Sequence, residues 1–150
     1  MGLDMYLNAR EAIKSGQEDV DAYNKWWEDS DKDAHIPDPE IGWATEVGYW
    51  RKANAIHDWF VRNCQNGVDE CQLAYVPREK LQELYELCCL VIKTPSLGKS
   101  LLPTRQGFFF GSYDYDEWYY KDIDLTAEIV YRALNTPEFE DMYFTYQSSW

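Results

Sequence analysis

The sequence predicts an α+β fold, a single domain in which a small, largely antiparallel sheet packs with three or four helices. Its 150 residues are the size of one domain. Hydrophobic residues make up 45% of the chain, and its 7 Trp, 12 Tyr and 6 Phe provide a core and exclude intrinsic disorder. The predicted strands and helices do not alternate strictly, which favours an antiparallel sheet. We interpret residues 1–150 as one domain with a polar, acidic excursion at about 15–45.

The first third of the chain predicts a strand, a helix and a loop. Residues 3–9 alternate apolar and polar side chains with the period of two that is typical of a half-buried strand. Residues 18–29 predict a short helix with Val20, Tyr23 and Trp27 on one side. Acidic residues and two prolines at 29–40 indicate an exposed loop.

The middle of the chain predicts two longer helices. At residues 49–65 apolar side chains recur at helical spacing, and Gly67 follows as a C-terminal stop. Residues 72–76 predict a short strand. Pro77 then starts a second helix, whose apolar stripe is wide enough to predict burial on most sides.

The last third predicts a loop at 94–106, a buried strand at 107–111, a helix to about Leu134 and a final strand at 142–146. Asp114 and Glu117 have the spacing of a capping box for that helix. We expect the final strand to pair with residues 3–7 in one sheet, because both segments are β-prone and the domain is too small to leave two distant edges.

The net charge of −13 argues against direct nucleic-acid binding, because so acidic a protein repels a phosphate backbone. The charge is unevenly distributed: residues 1–48 carry −8, residues 49–106 carry +2 and residues 107–150 carry −7. Acidic ends of this kind suit a protein partner with a basic surface, including a surface that holds DNA or RNA. The alternative interpretation is that the carboxylates serve solubility alone.

The sequence predicts no cofactor, no metal and no membrane contact. Its cysteines form no CxxC pair, so we expect structural thiols in a reducing cytoplasm, with a zinc site that includes His57 as the alternative. No apolar run approaches the roughly 18 residues of a membrane span, and no signal peptide is expected. The commonest hydrolase and dinucleotide-binding signatures do not occur, which disfavours an enzyme of a familiar class.

The first candidate site is the flank of the helix predicted at 49–65. On a helical wheel Trp50, Asn54 and His57 lie at the edge of the core stripe, where polar groups between aromatic residues line a pocket. The alternative is a histidine that is bonded to a backbone carbonyl. Asp58 and Arg62 are predicted to form an ordinary surface pair on the far side of the helix.

The second candidate site is the turn that follows residues 107–111. There we expect Ser112, Tyr113 and Asp114 to be exposed to a ligand. Asp114, Asp116 and Glu117 suit either a Mg²⁺ ion or the capping of the next helix. Capping is the preferred interpretation, because the pattern lacks the glycine and the terminal glutamate of a calcium loop.

Several blocks of sequence carry a resemblance to known proteins. They are MGLDMYL at 1–7, EVGYWRKANAIHDWF at 46–60, GFFFG at 107–111 with DYDEW at 114–118, and the terminal SSW. In these blocks, which cover roughly half of its length, the chain resembles a family of small acidic proteins that are frequent in bacteriophages and prophages. The resemblance implies a phage-associated setting in the host cytoplasm. It implies no particular reaction, fold or catalytic residue.

Two hypotheses for function follow. In the first, the protein binds and blocks a host defence protein by occupying a basic nucleic-acid-binding surface with carboxylates of its two ends, namely Glu28, Asp29, Asp31, Asp33, Asp114, Asp116 and Glu117. In the second, it is an enzyme or a binding protein for a small molecule or nucleotide. Its pocket then lies around His57 and includes Trp50, Asn54, Ser112, Tyr113 and Asp114.

Overall fold

In the computed structural model, which describes residues 2–30, 39–107 and 110–150, four strands form one antiparallel sheet. The strands are β1 (Asp4–Arg10), β2 (Thr45–Arg51), β3 (Ala74–Val76) and β4 (Tyr143–Ser149), in the spatial order β2-β1-β4-β3. The helices of the described segments are α1 (Gly16–Ser30), α2 (Asn54–Cys64), α3 (Arg78–Lys93), the single turn α4 (Gly98–Leu101) and α5 (Glu117–Asn135). The predicted α+β fold with a small antiparallel sheet is confirmed.

The two ends of the chain form the centre of the sheet. β1 pairs with β4 along its whole length, from Asp4 opposite Ser149 to Arg10 opposite Tyr143. The predicted pairing of the terminal strands is therefore confirmed. β2 and β3 are added at the outer sides of this central pair.

The main core lies on one face of the sheet. Leu3, Met5, Leu7 and Ala9 of the first strand segment are fully buried on this face, against α2, α3 and α5. Each such leucine or methionine contributes about 1.5–3 kcal/mol through its burial. Because neighbouring strand residues point to opposite faces, Tyr6 lies on the other side of the sheet.

The second face is only partly covered. α1 packs over β3 and β4 through a small cluster of Val20, Leu73 and Tyr143. Beyond α1, Tyr6 and Tyr49 are paired across β1 and β2 with their ring centroids 5.3 Å apart, and both remain partly exposed. No helix in the described parts of the chain is long and apolar enough to cross a membrane.

The predicted helix at 49–65 is wrong in its first part. Residues up to Arg51 belong to β2, and the helix begins only at Asn54. This segment forms a strand because pairing with β1 satisfies its backbone hydrogen-bonding groups and places Trp50 on the buried face of the sheet. Lys52 then adopts a left-handed conformation (φ 57°), which separates the strand from the helix.

Three smaller predictions also need correction. The segment predicted as a loop at 94–106 contains a 3-10 turn at Pro95–Leu97 and α4. α3 is not buried on most sides, because Leu90 and Ile92 are exposed. The helix α5 is capped by Asp116, which accepts a hydrogen bond from the Tyr119 N–H, rather than by Asp114.

The strand predicted at 107–111 is not formed by the residues that the structure shows there. Gly107, Phe110 and Gly111 are in irregular structure, and Phe108 and Phe109 lie outside the described residues. Phe110 is buried, so the apolar character of the segment serves the core without a strand. The acidic loop predicted at 29–40 lies largely outside the described residues as well.

Gly48 allows α5 to lie directly on β2. A Cβ atom at this position would be 2.3 Å from the Ile129 Cγ2 atom, inside van der Waals contact. We expect Gly48→Ala to lower the free energy of unfolding by about 1–3 kcal/mol, the usual cost of overpacking. In an Ile129→Ala background the same change is expected to cost almost nothing. Urea unfolding of the four proteins measures this coupling, and an equal cost in both backgrounds would contradict it.

Candidate functional site

A cleft of about 270 Å³ lies where β2 turns into α2 and where α5 begins. We call it the α2 cleft. Segments far apart in the sequence build it, since the β2–α2 turn, the loop before α5 and the first turns of α5 all contribute. Its polar and aromatic lining residues are Arg51, Lys52, Asn54, Thr104, Ser112, Asp114, Asp116, Trp118, Tyr119 and Asp122.

The β2–α2 turn holds Lys52 in a fixed backbone conformation at the cleft. The Lys52 N–H donates to the Leu3 carbonyl at 2.7 Å, and the Lys52 carbonyl accepts from the Asn54 N–H at 2.9 Å. Gly111 approaches so closely that a Cβ atom there would be 3.2 Å from the Lys52 Cβ atom. A left-handed lysine costs about 1 kcal/mol or more, and such strain is commonly found at functional sites.

The N-terminus of α2 faces the same cleft without a side-chain cap from the described residues. Its N-cap residue, Ala53, has no polar side chain. Asn54 instead uses its amide nitrogen to donate to the Phe110 and Ser112 carbonyls, and its amide oxygen to accept from the Arg105 N–H. These bonds hold the loop before α5 against α2. Of the first three helical N–H groups, Asn54 donates to the Lys52 carbonyl and Ile56 donates to the Ala53 carbonyl, which leaves the Ala55 N–H without a hydrogen bond to a described residue.

Three of the residues that line the cleft are aspartates. Asp116 is used as the cap of α5, and Asp114 is exposed, with its N–H donating to the Ser112 hydroxyl. No described residue donates a hydrogen bond to the Asp122 carboxylate or forms an ion pair with it. Burial, together with the negative charge of Asp116, raises the pKa of Asp122 to about 6.

His57 lies in the core and bridges two other segments. Its Nε2 atom is 2.9 Å from an Asp69 oxygen, and its Nδ1 atom is 2.6 Å from the Tyr146 hydroxyl. Because a carboxylate only accepts, Nε2 carries the proton, and Nδ1 accepts from the Tyr146 O–H. Burial lowers the pKa of His57 and raises the pKa of Tyr146, so this neutral arrangement is the stable one.

Ion pairs extend this network toward the cleft. Asp69 also accepts from the Trp150 indole N–H and lies 3.6 Å from the Arg105 guanidinium. Arg105 and Arg62 both bind the Asp58 carboxylate, at 3.0 and 2.7 Å. Asp58 is buried, which corrects the prediction of an ordinary surface pair. The sequence could not show this burial, because Arg105, which packs over the Asp58 carboxylate, is distant in sequence.

The structure brings together half of the predicted ligand-binding residues. Asn54, Ser112 and Asp114 line the α2 cleft. Trp50 and His57 are buried in the core instead, where the Trp50 indole N–H donates to the Thr126 hydroxyl. Tyr113 is exposed, as expected, but is not a lining residue of the cleft.

The predicted partner-binding carboxylates lie on different elements. Asp114 and Asp116 line the α2 cleft, and Glu117 beside them pairs with Lys121. Glu28 lines a wider groove that shares no described lining residue with the cleft, and Asp29 pairs with Lys25 near it. Asp31 and Asp33 lie outside the described residues.

The candidate site residues predicted from the sequence did not include Lys52, Trp118 or Asp122, which line the cleft. Lys52 lies between β2 and α2, so its position at the cleft depends on the turn that joins them. No local pattern signals Asp122, whose neighbours in the cleft come from other segments. Within the described residues, no three His, Cys, Asp or Glu side chains are arranged to hold a metal ion.

The lowered pKa of His57 predicts a pH dependence of stability. The folded protein binds the proton less readily than the unfolded chain, whose histidine titrates near 6.5. The contribution of His57 is therefore fully present above that pH and is lost as the pH falls below it. The stability difference between the wild type and His57→Gln is expected to shrink by about 1 kcal/mol between pH 7.5 and 5.5.

Urea unfolding at the two pH values measures this difference, and His35→Gln, which removes the second histidine, is the matched control. A difference that stays constant with pH would show that His57 does not titrate differently in the folded and unfolded states.

We compared the chain with protein-family models, with curated proteins and with solved structures. None of the three comparisons found a match.

Proposed function

We propose that the protein binds a small phosphate-bearing molecule in the α2 cleft. The observation that carries the proposal is that Lys52 lines the cleft beside the N-terminus of α2, where the Ala55 N–H has no hydrogen bond to a described residue. Backbone N–H groups at a helix N-terminus and a neighbouring lysine are a common phosphate-binding arrangement. Arg51 also lines the cleft, and its guanidinium lies 4.0 Å from the Asp4 carboxylate.

The size and lining of the cleft support a small ligand. Its volume of about 270 Å³ is slightly below the roughly 300–1,000 Å³ that is typical of ligand sites, which restricts it to a small ligand. Thr104 and Ser112 supply hydroxyl groups, and Trp118 and Tyr119 supply aromatic surface. This combination of apolar lining with a few convergent polar groups is typical of a binding site.

Binding of ribose 5-phosphate and of nucleoside 5′-monophosphates tests this function. A ligand at one hundred times its Kd is expected to stabilise the folded protein by about 2.7 kcal/mol, seen as a rise in Tm. Lys52→Met is expected to weaken binding about tenfold or more, because it removes the charge without adding bulk.

Lys80→Met removes a lysine of α3, outside the cleft, and serves as the control. If no phosphate-bearing probe raises Tm at millimolar concentration, or if both variants bind equally well, the proposed function is wrong.

A second candidate function is the binding of a basic protein partner in the infected host. The end of α1 favours it, because Glu28 and Asp29 lie there without a basic residue in the last turn. Carboxylates at a helix C-terminus are unfavourable for the helix dipole, so they carry a cost in stability. Trp27 lies beside them and is half exposed, which provides contact area for a partner.

The double variant Glu28→Gln/Asp29→Asn tests this second candidate. Co-purification of the tagged protein with a stoichiometric host partner is expected to fall in the variant and at 0.5 M salt, since salt screens the attraction. The control pair Glu83→Gln/Glu86→Gln on α3 is expected to retain the partner. Retention of the same partner by the Glu28/Asp29 variant at high salt would contradict an electrostatic interface.

A further inference from the structure

Asp122 is a carboxylate that lines the α2 cleft near Trp118 and Asp116. Its carboxylate is half-buried, lies close enough to Asp116 to feel its charge, and has no partner among the described residues. An unpaired carboxylate in such a place costs stability. Perturbed carboxyl groups in clefts are frequent at functional sites, where a ligand supplies the missing donor.

The surroundings fix the position of Asp122. Its backbone carbonyl accepts a hydrogen bond from the Thr126 hydroxyl at 2.6 Å, and that hydroxyl accepts from the Trp50 indole N–H at 2.9 Å. Trp50 belongs to β2, so α5 is tied to the sheet at this point. The backbone of Asp122 is therefore held on a rigid element, which is favourable for a binding site.

Trp118 places an aromatic surface one helical turn before Asp122. Residues four apart on a helix lie on the same side, and both side chains line the cleft. Trp118 is 70% exposed, and the Lys121 ammonium lies 4.7 Å from the centre of its ring. An exposed tryptophan beside a hydrogen-bond acceptor is an arrangement that binds nucleobases, by stacking and by edge recognition.

Among the common bases, guanine fits a carboxylate best. Its Watson–Crick edge presents two adjacent N–H donors, N1–H and the N2 amino group, which a carboxylate accepts together. Adenine and cytosine each place an unprotonated ring nitrogen at that edge, which a carboxylate repels. Uracil offers one N–H between two carbonyl oxygens.

We propose that the phosphate-bearing ligand of the α2 cleft is a guanine mononucleotide and that Asp122 recognises its base. The inference rests on the proposed function, since Lys52 and the N-terminus of α2 hold the phosphate. Asp122 is then a specificity-determining residue. The volume of the cleft suits one base and one phosphate rather than a dinucleotide.

Calorimetric titration of the full chain with GMP, IMP, AMP and ribose 5-phosphate at pH 7.5 tests this inference. GMP is expected to bind at least tenfold more tightly than IMP, which lacks the N2 amino group, and more tightly than AMP. Asp122→Asn is expected to reduce the affinity for GMP at least tenfold and to leave ribose 5-phosphate binding unchanged. Asp124→Asn, an exposed neighbour on the same helix, is the matched control and is expected to bind GMP like the wild type.

The outcomes separate the two proposals. If all the probes bind equally and Asp122→Asn has no effect, the guanine inference is overturned while phosphate binding stands. If ribose 5-phosphate and all three nucleotides fail to bind, the proposed function is overturned and the guanine inference falls with it. If Asp122→Asn weakens every probe alike, Asp122 shapes the cleft and does not read the base.

Discussion

The Asp69 carboxylate is the group on which the arrangement of the cleft depends. It accepts hydrogen bonds from His57 of α2 and from Trp150 at the end of the chain, and it lies within ion-pair distance of Arg105. Three segments that are distant in sequence therefore meet at one side chain. Each Asp69 oxygen has at least one of these partners, which offsets the cost of placing the carboxylate in a largely buried position.

The position of the loop before α5 follows from this meeting point. Arg105 uses its side chain for Asp58 and Asp69 and its backbone N–H for Asn54, so both ends of the residue are bound. Phe110 packs edge-on against His57 and against Trp150. Arg105 and Phe110 thus both hold the loop against α2, on which Asn54 binds the same loop. The α2 cleft is the space between this loop, the β2–α2 turn and α5.

Several features of the cleft lower the stability of the folded protein. Lys52 has a backbone conformation that lysine avoids, α2 lacks a side-chain cap among the described residues, and Asp122 lies beside a like charge. Each of these features on its own lowers the stability of the folded protein. Burial raises the pKa of the buried or half-buried thiols Cys64 and Cys88 to about 12, which keeps them protonated.

The sequence by itself determined the α+β class, both terminal strands, the extent of α3 and most of α5, because their period of two or 3.6 reflects burial on one face. It also identified Asn54, Ser112 and Asp114 as candidate site residues. Only the tertiary structure decided that residues up to Arg51 form a strand, since Tyr49 and Trp50 fit either period and pairing with β1 selects one. The α2 cleft also depends on the tertiary structure. Lys52, Trp118 and Asp122 share no local sequence pattern, and only the packing of α5 against β2 brings them together.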